Sequence, residues 1–417
     1  MANLDKIKLK KNTGPIVFLG QSNSMPMMYA IELKKKGYEV LYFVDCPASE
    51  KLSRPENHYS DIGYPYPSWI IEIELKTQML IPFFKMIFAL YIKYKIKKIT
   101  NKEPQVYFLN GFFVTLAPLL KNGHNSIIAL SHGSDLDSWA DMSSSNDLNK
   151  TFVKYSFFKF LPSIVSKRLI KYVIFKQFSG LILSNKVVYF PKGFNENGDR
   201  VISKLMDNNV SCHERYDISF EPLKYQSRNY KICTGKLVIF SGVRFMYKNF
   251  SEGNTGYSKG NDIIIKGLAL YYKYNKNIEI HFVEKGPDVD IAKKLCLDNG
   301  LDDVVIWHKE MKFLELLDLY DQSDICFDQV GQHWVGAIGC YALWLGKPLI
   351  ANIKLPVQTG IWPIDNPVFN ASNEKEVFDS LLQLSNDKAR VVASDKSKGF
   401  AEKYLGPQRL LNEVFEF

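Results

Sequence analysis

The residues best suited to chemistry in this 417-residue chain are concentrated between Ser323 and Ala351 (SDICFDQVGQHWVGAIGCYALWLGKPLIA). A short apolar strand, Ile325 to Phe327, ends in Asp328 and Gln329. A loop bearing Gly331, Trp334, Gly336 and Gly339 follows. A helix-like segment containing Tyr341 is then closed by Gly346, Lys347 and Pro348, and Leu349 to Ala351 read as a second apolar strand. A strand, a glycine-bearing loop and a helix start together make an anion site. Backbone N–H groups at a helix N-terminus point at a phosphate, and glycine lets the backbone come close. Asp328 either faces a ligand or caps the helix by accepting from its backbone donors.

The other concentration of polar groups is in the first half of the chain. Ser131 to Asp135 (SHGSD) follows the apolar run SIIAL. Asp135 there either takes a hydroxyl proton as a general base or caps the next helix, with Gly133 at positive φ. His132 is one of only seven histidines and sits at a strand end. The polar loop Gly20-Gln21-Ser22-Asn23-Ser24 follows the run PIVFL, and Asn110-Gly111 follows VYFL. Neither carries the G-x-G-x-x-G fingerprint, which argues against a dinucleotide-dependent dehydrogenase.

The elements that must position these residues read as alternating strands and helices. Pro15 to Leu19, a helix over Met27 to Lys36 ended by Gly37, and Tyr38 to Val44 form a strand-helix-strand unit, the signature of a parallel sheet covered by helices. Val106 to Leu109, Ser126 to Leu130 and Gly180 to Ser184 read as further strands. A second series begins at Lys236 to Phe240 and continues with Glu279 to Val283, Val304 to Trp307 and Pro348 to Ala351. Between them, helices are predicted over Asp262 to Lys273, Pro287 to Asn299 and Phe313 to Gln322. Amphipathic helices over Glu374 to Leu384 and Asp387 to Tyr404 close the chain. The expected division is 1–225, 226–385 and a helical segment 386–417. Two such α/β halves imply two Rossmann-like domains facing a cleft, with ligands at the carboxyl ends of the strands.

Composition narrows the class. A chain that is 46% hydrophobic and 23% charged is ordinary for a globular protein. Its six cysteines are scattered, with no C-x-x-C pair, and read as free thiols of a reducing cytoplasm. The N-terminal residues lack an apolar signal core, and no run approaches the length of a membrane span. The net charge of +9 comes largely from two segments. Residues 75–102 carry seven Lys and residues 149–195 nine Lys or Arg, neither with an acidic residue and both interleaved with aromatic and aliphatic side chains. Such segments read as interfacial membrane elements, or as core helices with snorkelling lysines. No RNA-binding pattern accompanies them.

Three features of the second half resemble the GT-B glycosyltransferases, in particular the family-4-like group of bacterial surface polysaccharide transferases. They are SGVR at Ser241 to Arg244, Lys259-Gly260 at the opening of the helix NDIIIKGLALY, and the Asp328 to Pro348 region. The resemblance implies a GT-B fold whose C-terminal helices pack back toward the first domain. It also implies that Arg244 and Lys259 contact the donor diphosphate. Arg forks across two phosphate oxygens and Lys acts as a compact charge, neutralising the leaving nucleoside diphosphate as the glycosidic bond breaks.

By the same resemblance Asp328-Gln329 and Trp334-Val335-Gly336 line the donor sugar, and His308 and Lys309 brush the nucleobase. The SHGSD turn matches the H-G-x-D turn of these transferases, so His132 and Asp135 face the reacting sugar. Gln21, Ser22, Asn23 and Asn110 line the acceptor side. The chain departs from the family in two places. Residues 245–258 form a long spacer that reads as a flap over the donor or as a disordered insertion. Two Glu residues that relatives carry eight positions apart are replaced by His333 and Tyr341. The second Glu binds donor ribose hydroxyls in the relatives, so the resemblance has Tyr341 face the ribose through its hydroxyl.

The implied activity is metal-independent, retaining transfer of a sugar from a nucleotide donor, with no cofactor. The acceptor is a lipid-linked or growing glycan of capsule, O-antigen or lipopolysaccharide type. The protein is expected to be cytoplasmic and peripheral to the inner membrane. The rival expectations are an inverting GT-B transferase, a sugar-nucleotide epimerase, or a non-catalytic nucleotide- or glycan-binding scaffold.

Overall fold

A computed structural model describes residues 6–21, 24–49, 53–59, 61–73, 75–215, 235–248, 258–331 and 335–417. The chain divides into two compact units. The first comprises 1–56, 62–216 and 407–417, and the second 57–61 and 217–406. The expected helical segment 386–417 is therefore split. The helix Asp387–Tyr404 stays with the second unit, and the chain from Pro407 returns to the first.

The first unit opens with the short strand β1 (Ile7–Lys8) and is built on seven strands: β2 (Ile16–Leu19), β3 (Val40–Val44), β4 (Ile70–Glu72), β5 (Val106–Leu109), β6 (Ser126–Leu130), β7 (Lys186–Tyr189) and β8 (Ser211–Glu214). All are parallel, in the order β4-β3-β2-β5-β6-β7-β8. The central strands are buried along their whole length, as expected when helices cover both faces.

The run Gly180 to Ser184 is not a strand. It ends the helix Ser163–Leu183, and the strand follows it as β7. So short an apolar run (Leu181 to Leu183) has no period that separates a strand from a helix end. Gly180 serves helix packing, because a Cβ there would lie 2.1 Å from the Val114 carbonyl oxygen.

The second unit has six parallel strands: β9 (Leu237–Ser241), β10 (Ile278–Val283), β11 (Val305–His308), β12 (Ile325–Phe327), β13 (Leu349–Ala351) and β14 (Phe369–Asn370). Their order is β11-β10-β9-β12-β13-β14. Pro348 to Ala351, the last strand expected from the sequence, is therefore not the last one. β14 adds to its edge, and β15 (Phe415–Glu416) pairs with β1 in the first unit.

Each sheet has one topological switch point. In the first unit the chain leaves β2 toward β3 on one side and resumes at β5 on the other. In the second unit the same happens between β9 and β12. Loops at the carboxyl ends of such strand pairs diverge and leave a crevice, the usual ligand position in an open α/β sheet.

Candidate functional site

At the switch point of the second unit, Phe327 pairs with Ser241. The loop after β9 and the loop after β12 therefore start side by side. The first carries Arg244, which is solvent-exposed. Side chains from elsewhere bolt this loop down. Asp288 Oδ2 accepts from the Tyr247 and Lys248 amides at 2.6 and 2.7 Å. Asn261 Oδ1 accepts from Met246 N at 3.2 Å. The Lys259 amide donates to the Met246 carbonyl, and the Val330 and Gly331 amides donate to the Lys259 carbonyl. Gly260 permits this crossing. It sits at φ 71°, and a Cβ would lie 2.5 Å from Gly331 N.

Burial holds the Lys259 ammonium below its usual range, with the Asp328 charge opposing and the Arg244 charge adding to the shift. Lys259, Asp328 and the loop that carries Arg244 thus lie together at the carboxyl ends of β9 and β12. Asp328 is buried, and its carboxylate is taken up by the backbone. Oδ1 accepts from Gln329 N at 2.8 Å, and Oδ2 from Gly336 N at 2.5 Å and Gly339 N at 3.1 Å. Of the two readings open in the sequence, the geometry realises the cap. Gly339 is required by it, since a Cβ there would stand 2.7 Å from Asp328 Oδ2.

At the switch point of the first unit, a cavity of about 410 Å³ is lined by residues that include Gln21 after β2, Gly111 and Phe112 after β5, and His132, Ser134 and Asp135 after β6. That volume lies within the usual range for a small-molecule site. Met25, Ser53, Gln78 and Trp139 complete its wall. The Asn110 amide donates to the Leu19 carbonyl at 2.9 Å and ties the two loops together.

His132 is held at both ring nitrogens. Arg215 donates to Nδ1 at 2.8 Å and to the Ser131 carbonyl at 2.6 Å, and Nε2 lies 2.7 Å from Asn110 Oδ1. Guanidinium has only donors. Nδ1 is therefore the acceptor and Nε2 carries the proton, which it donates to Asn110. Burial and the Arg215 charge hold the imidazole well below its ordinary pKa, so it is neutral.

Asp135 Oδ1 accepts from Ser131 Oγ at 2.9 Å and from His132 N at 3.0 Å. Burial raises this carboxyl above its usual range, opposed by those bonds and by Arg215. Burial also raises Asp45 to about 6, its bond from Gln78 opposing. Asp137 is raised to about 8 by burial and by the charges of Asp135 and Asp199.

No protein-family model matches this sequence, and no curated protein sequence matches it. Solved structures do match. Over 97% of its length the chain is similar to a glycosyltransferase from Rickettsia africae ESF-5, at 15% identity and TM-score 0.56, covering 98% of that chain. Over 96% it is similar to sucrose-phosphate synthase from Thermosynechococcus elongatus, at 10% identity and TM-score 0.55, covering 97% of that chain. A third similar structure, from Listeria monocytogenes, is assigned as a UDP-N-acetylglucosamine 2-epimerase (13% identity, TM-score 0.50, covering 97% of this chain and 95% of that one). The fold is GT-B.

Within the GT-B frame the residues expected from the sequence separate into three groups. Arg244, Lys259, Gly260, Gly336, Gly339 and Asp328 meet at one switch point, and Gln21, Asn110, His132 and Asp135 at the other. Gln329 is buried beside Asp328, and its carbonyl accepts from Asn352 N. Tyr341, expected to face a ribose, is only 8% exposed and packs edge-on against Phe313 (5.1 Å) and Tyr320 (6.4 Å). Its ring belongs to the core of the helix Ala337–Trp344.

His308 ends β11 rather than starting a loop. Its ring stacks on His281, with Nε2 2.8 Å from His281 Nδ1. Lys309 is exposed and pairs with Glu284. Ser22, Asn23, His333, Trp334 and residues 249–257 of the expected flap lie outside the described residues.

Several working residues escaped the sequence reading. Arg215, Gln78, Asp45 and Asp288 stand 83, 34, 33 and 40 positions from His132, Phe112, Gln78 and Lys248, which they hold, in segments with no pattern of their own, and Trp139 follows Asp135 by four. The one available signal was Asp45, a carboxylate ending the apolar strand VLYFV. Among the described residues, no group of three or more His, Cys, Asp or Glu is placed to hold a metal ion. No described helix is long and apolar enough to cross a membrane.

Proposed function

We propose that this protein is a glycosyltransferase that moves a sugar from a nucleotide donor, held at the β9/β12 switch point, to a hydroxyl of a lipid-linked or growing glycan held at the β2/β5 switch point. The observation that carries the reading is that the loop bearing Arg244 and the Lys259-Gly260 backbone meet the glycine-bearing loop after β12 at one switch point. Two cations beside a glycine-bearing loop suit a diphosphate, and their charge stabilises it as it leaves. Asp328 shapes that loop from beneath. On the acceptor side Asp135 keeps Oδ2 outside its two bonds, so it can orient the acceptor hydroxyl and take its proton. His132 contributes as a neutral, fixed ring. The transfer is metal-independent and retaining.

The setting we propose is bacterial surface polysaccharide synthesis at the cytoplasmic face of the inner membrane. Support comes from the two basic segments. The helix Lys85–Thr100 exposes Met86, Ile87, Leu90 and Tyr94, and the chain at Phe160 to Ile164 exposes two more apolar side chains, Phe160 at 80%. Phe83 stacks on Tyr172 at 5.5 Å and joins this helix to Ser163–Leu183. Exposed apolar groups ringed by lysines fit an anionic bilayer surface better than a solvated face.

Calorimetric titration of UDP, GDP, ADP, CMP and dTDP into the native chain and Arg244→Ala tests the donor site. Binding of one nucleotide, weakened at least about tenfold in the variant, supports it. No binding by any refutes it. The epimerase reading, favoured by the Listeria monocytogenes likeness, requires turnover of a nucleotide sugar with no acceptor present.

A further inference from the structure

The wall of the first unit's cavity carries more information than its position. Asp135 presents a carboxylate whose Oδ2 is outside the Ser131 and His132 bonds. Gln78 is fixed by a second carboxylate behind it. Its Nε2 donates to Asp45 Oδ2 at 2.6 Å, and its Oε1 accepts from Phe112 N at 3.4 Å. Asp45 is 4% exposed, and its Oδ1 has no hydrogen-bond partner. Gln21 bridges the opposite side. Its amide donates to the Ser53 carbonyl at 2.9 Å and accepts from Cys46 N at 3.2 Å. Trp139 and Phe112, edge to face at 5.2 Å, give the cavity an aromatic wall.

Carboxylate and amide oxygens accept from hydroxyls, and an aromatic face covers the C–H side of a pyranose ring. The same carboxylates oppose an incoming phosphate or uronate. Arg215 is not part of the cavity lining, and it directs its Nη2 to His132 Nδ1 and the Ser131 carbonyl.

Resting on the acceptor-side reading above, we infer that this cavity takes the uncharged saccharide end of the acceptor and rejects a phosphorylated or acidic sugar. The enzyme would then act after the first transfer to a phosphate-bearing carrier. An earlier glycosyl transfer ending in a neutral sugar must supply its acceptor.

The test uses saturation-transfer NMR on the full native chain. Probes are methyl glycosides of neutral hexoses and N-acetylhexosamines, with the matching uronates and 6-phosphates. At least one neutral glycoside is expected to bind, with its anionic analogues weaker by at least about tenfold. Asp135→Asn should narrow that gap, and Asp135→Glu should keep it.

Anionic analogues binding as tightly as neutral ones would overturn the inference. So would a gap unchanged in Asp135→Asn, or no neutral glycoside binding at millimolar concentration. Nucleotide binding on the same samples reports folding of the variants and separates the two claims. Nucleotide bound with an anionic glycoside preferred sinks only this inference. Loss of nucleotide binding by the native chain sinks the transferase reading.

Discussion

Arg215→Met tests the account of the first switch point most sharply. Arg215 is 3% exposed, and its two bonds, at 2.6 and 2.8 Å, fix the Ser131 carbonyl and the His132 ring together. Hydrogen bonds to a charged group contribute about 1.5–3 kcal/mol each. Burying the guanidinium costs part of that, and burial already pulls Arg215 down to about 9. The net loss of stability should be about 2–4 kcal/mol, read as a shift in the denaturant midpoint at constant slope.

Stability alone would not separate a structural role from a tautomer-fixing one, so nitrogen-15 NMR of the histidines carries the decision. In the native protein the His132 resonance should show a proton on Nε2 and none on Nδ1, with no protonation near pH 6.5. In Arg215→Met the nearby positive charge is gone. The tautomers should exchange, and protonation should move up toward the ordinary value, burial still holding it below. A native His132 that titrates near 6.5, or that carries its proton on Nδ1, would refute the hydrogen-bond polarity and the neutral role built on it.

Three further outcomes follow from other parts of the molecule. Gly260→Ala forces a Cβ into φ 71° and to within 2.5 Å of Gly331 N. It should cost about 2–4 kcal/mol of stability and weaken nucleotide binding by moving Lys259, as unfolding and calorimetry would report. Asp137 is raised to about 8 in the folded chain, so the folded state holds a proton that the unfolded state releases near 4. Its contribution to stability is present below pH 4 and is lost as pH rises toward 8. Asp137→Asn should therefore raise the unfolding midpoint at pH 9 relative to the parent, and leave it nearly unchanged at pH 4. Replacing Ile87 and Phe160 by Ser should reduce sedimentation with anionic vesicles several-fold without changing nucleotide binding, and equal binding by both forms would remove the membrane contact.

The sequence by itself determined the fold class and most of the elements. Strands that run parallel under two helical layers must be apolar throughout, so VYFL and SIIAL declared themselves. Helices such as Glu374–Leu384 carry their own caps and period, with Asn373 accepting from Glu376 N. The glycine-bearing loop was legible for a related reason: glycine and charge requirements are local, so Arg244, Lys259 and the Asp328 loop are marked by the strands and helices beside them.

Tertiary structure alone decided which reading each polar residue takes. Asp328 became a cap because the Gly336 and Gly339 amides are folded back onto it, and Tyr341 joined the core because Phe313 and Tyr320 close over it. His132 became neutral because Arg215, 83 positions later, enters from the end of β8. Gln78 reached the first unit's cavity because Asp45, 33 positions earlier, holds its amide. A parallel sheet gathers the ends of strands that are far apart along the chain. A local pattern can mark each strand end, but it does not encode which distant side chain will satisfy it.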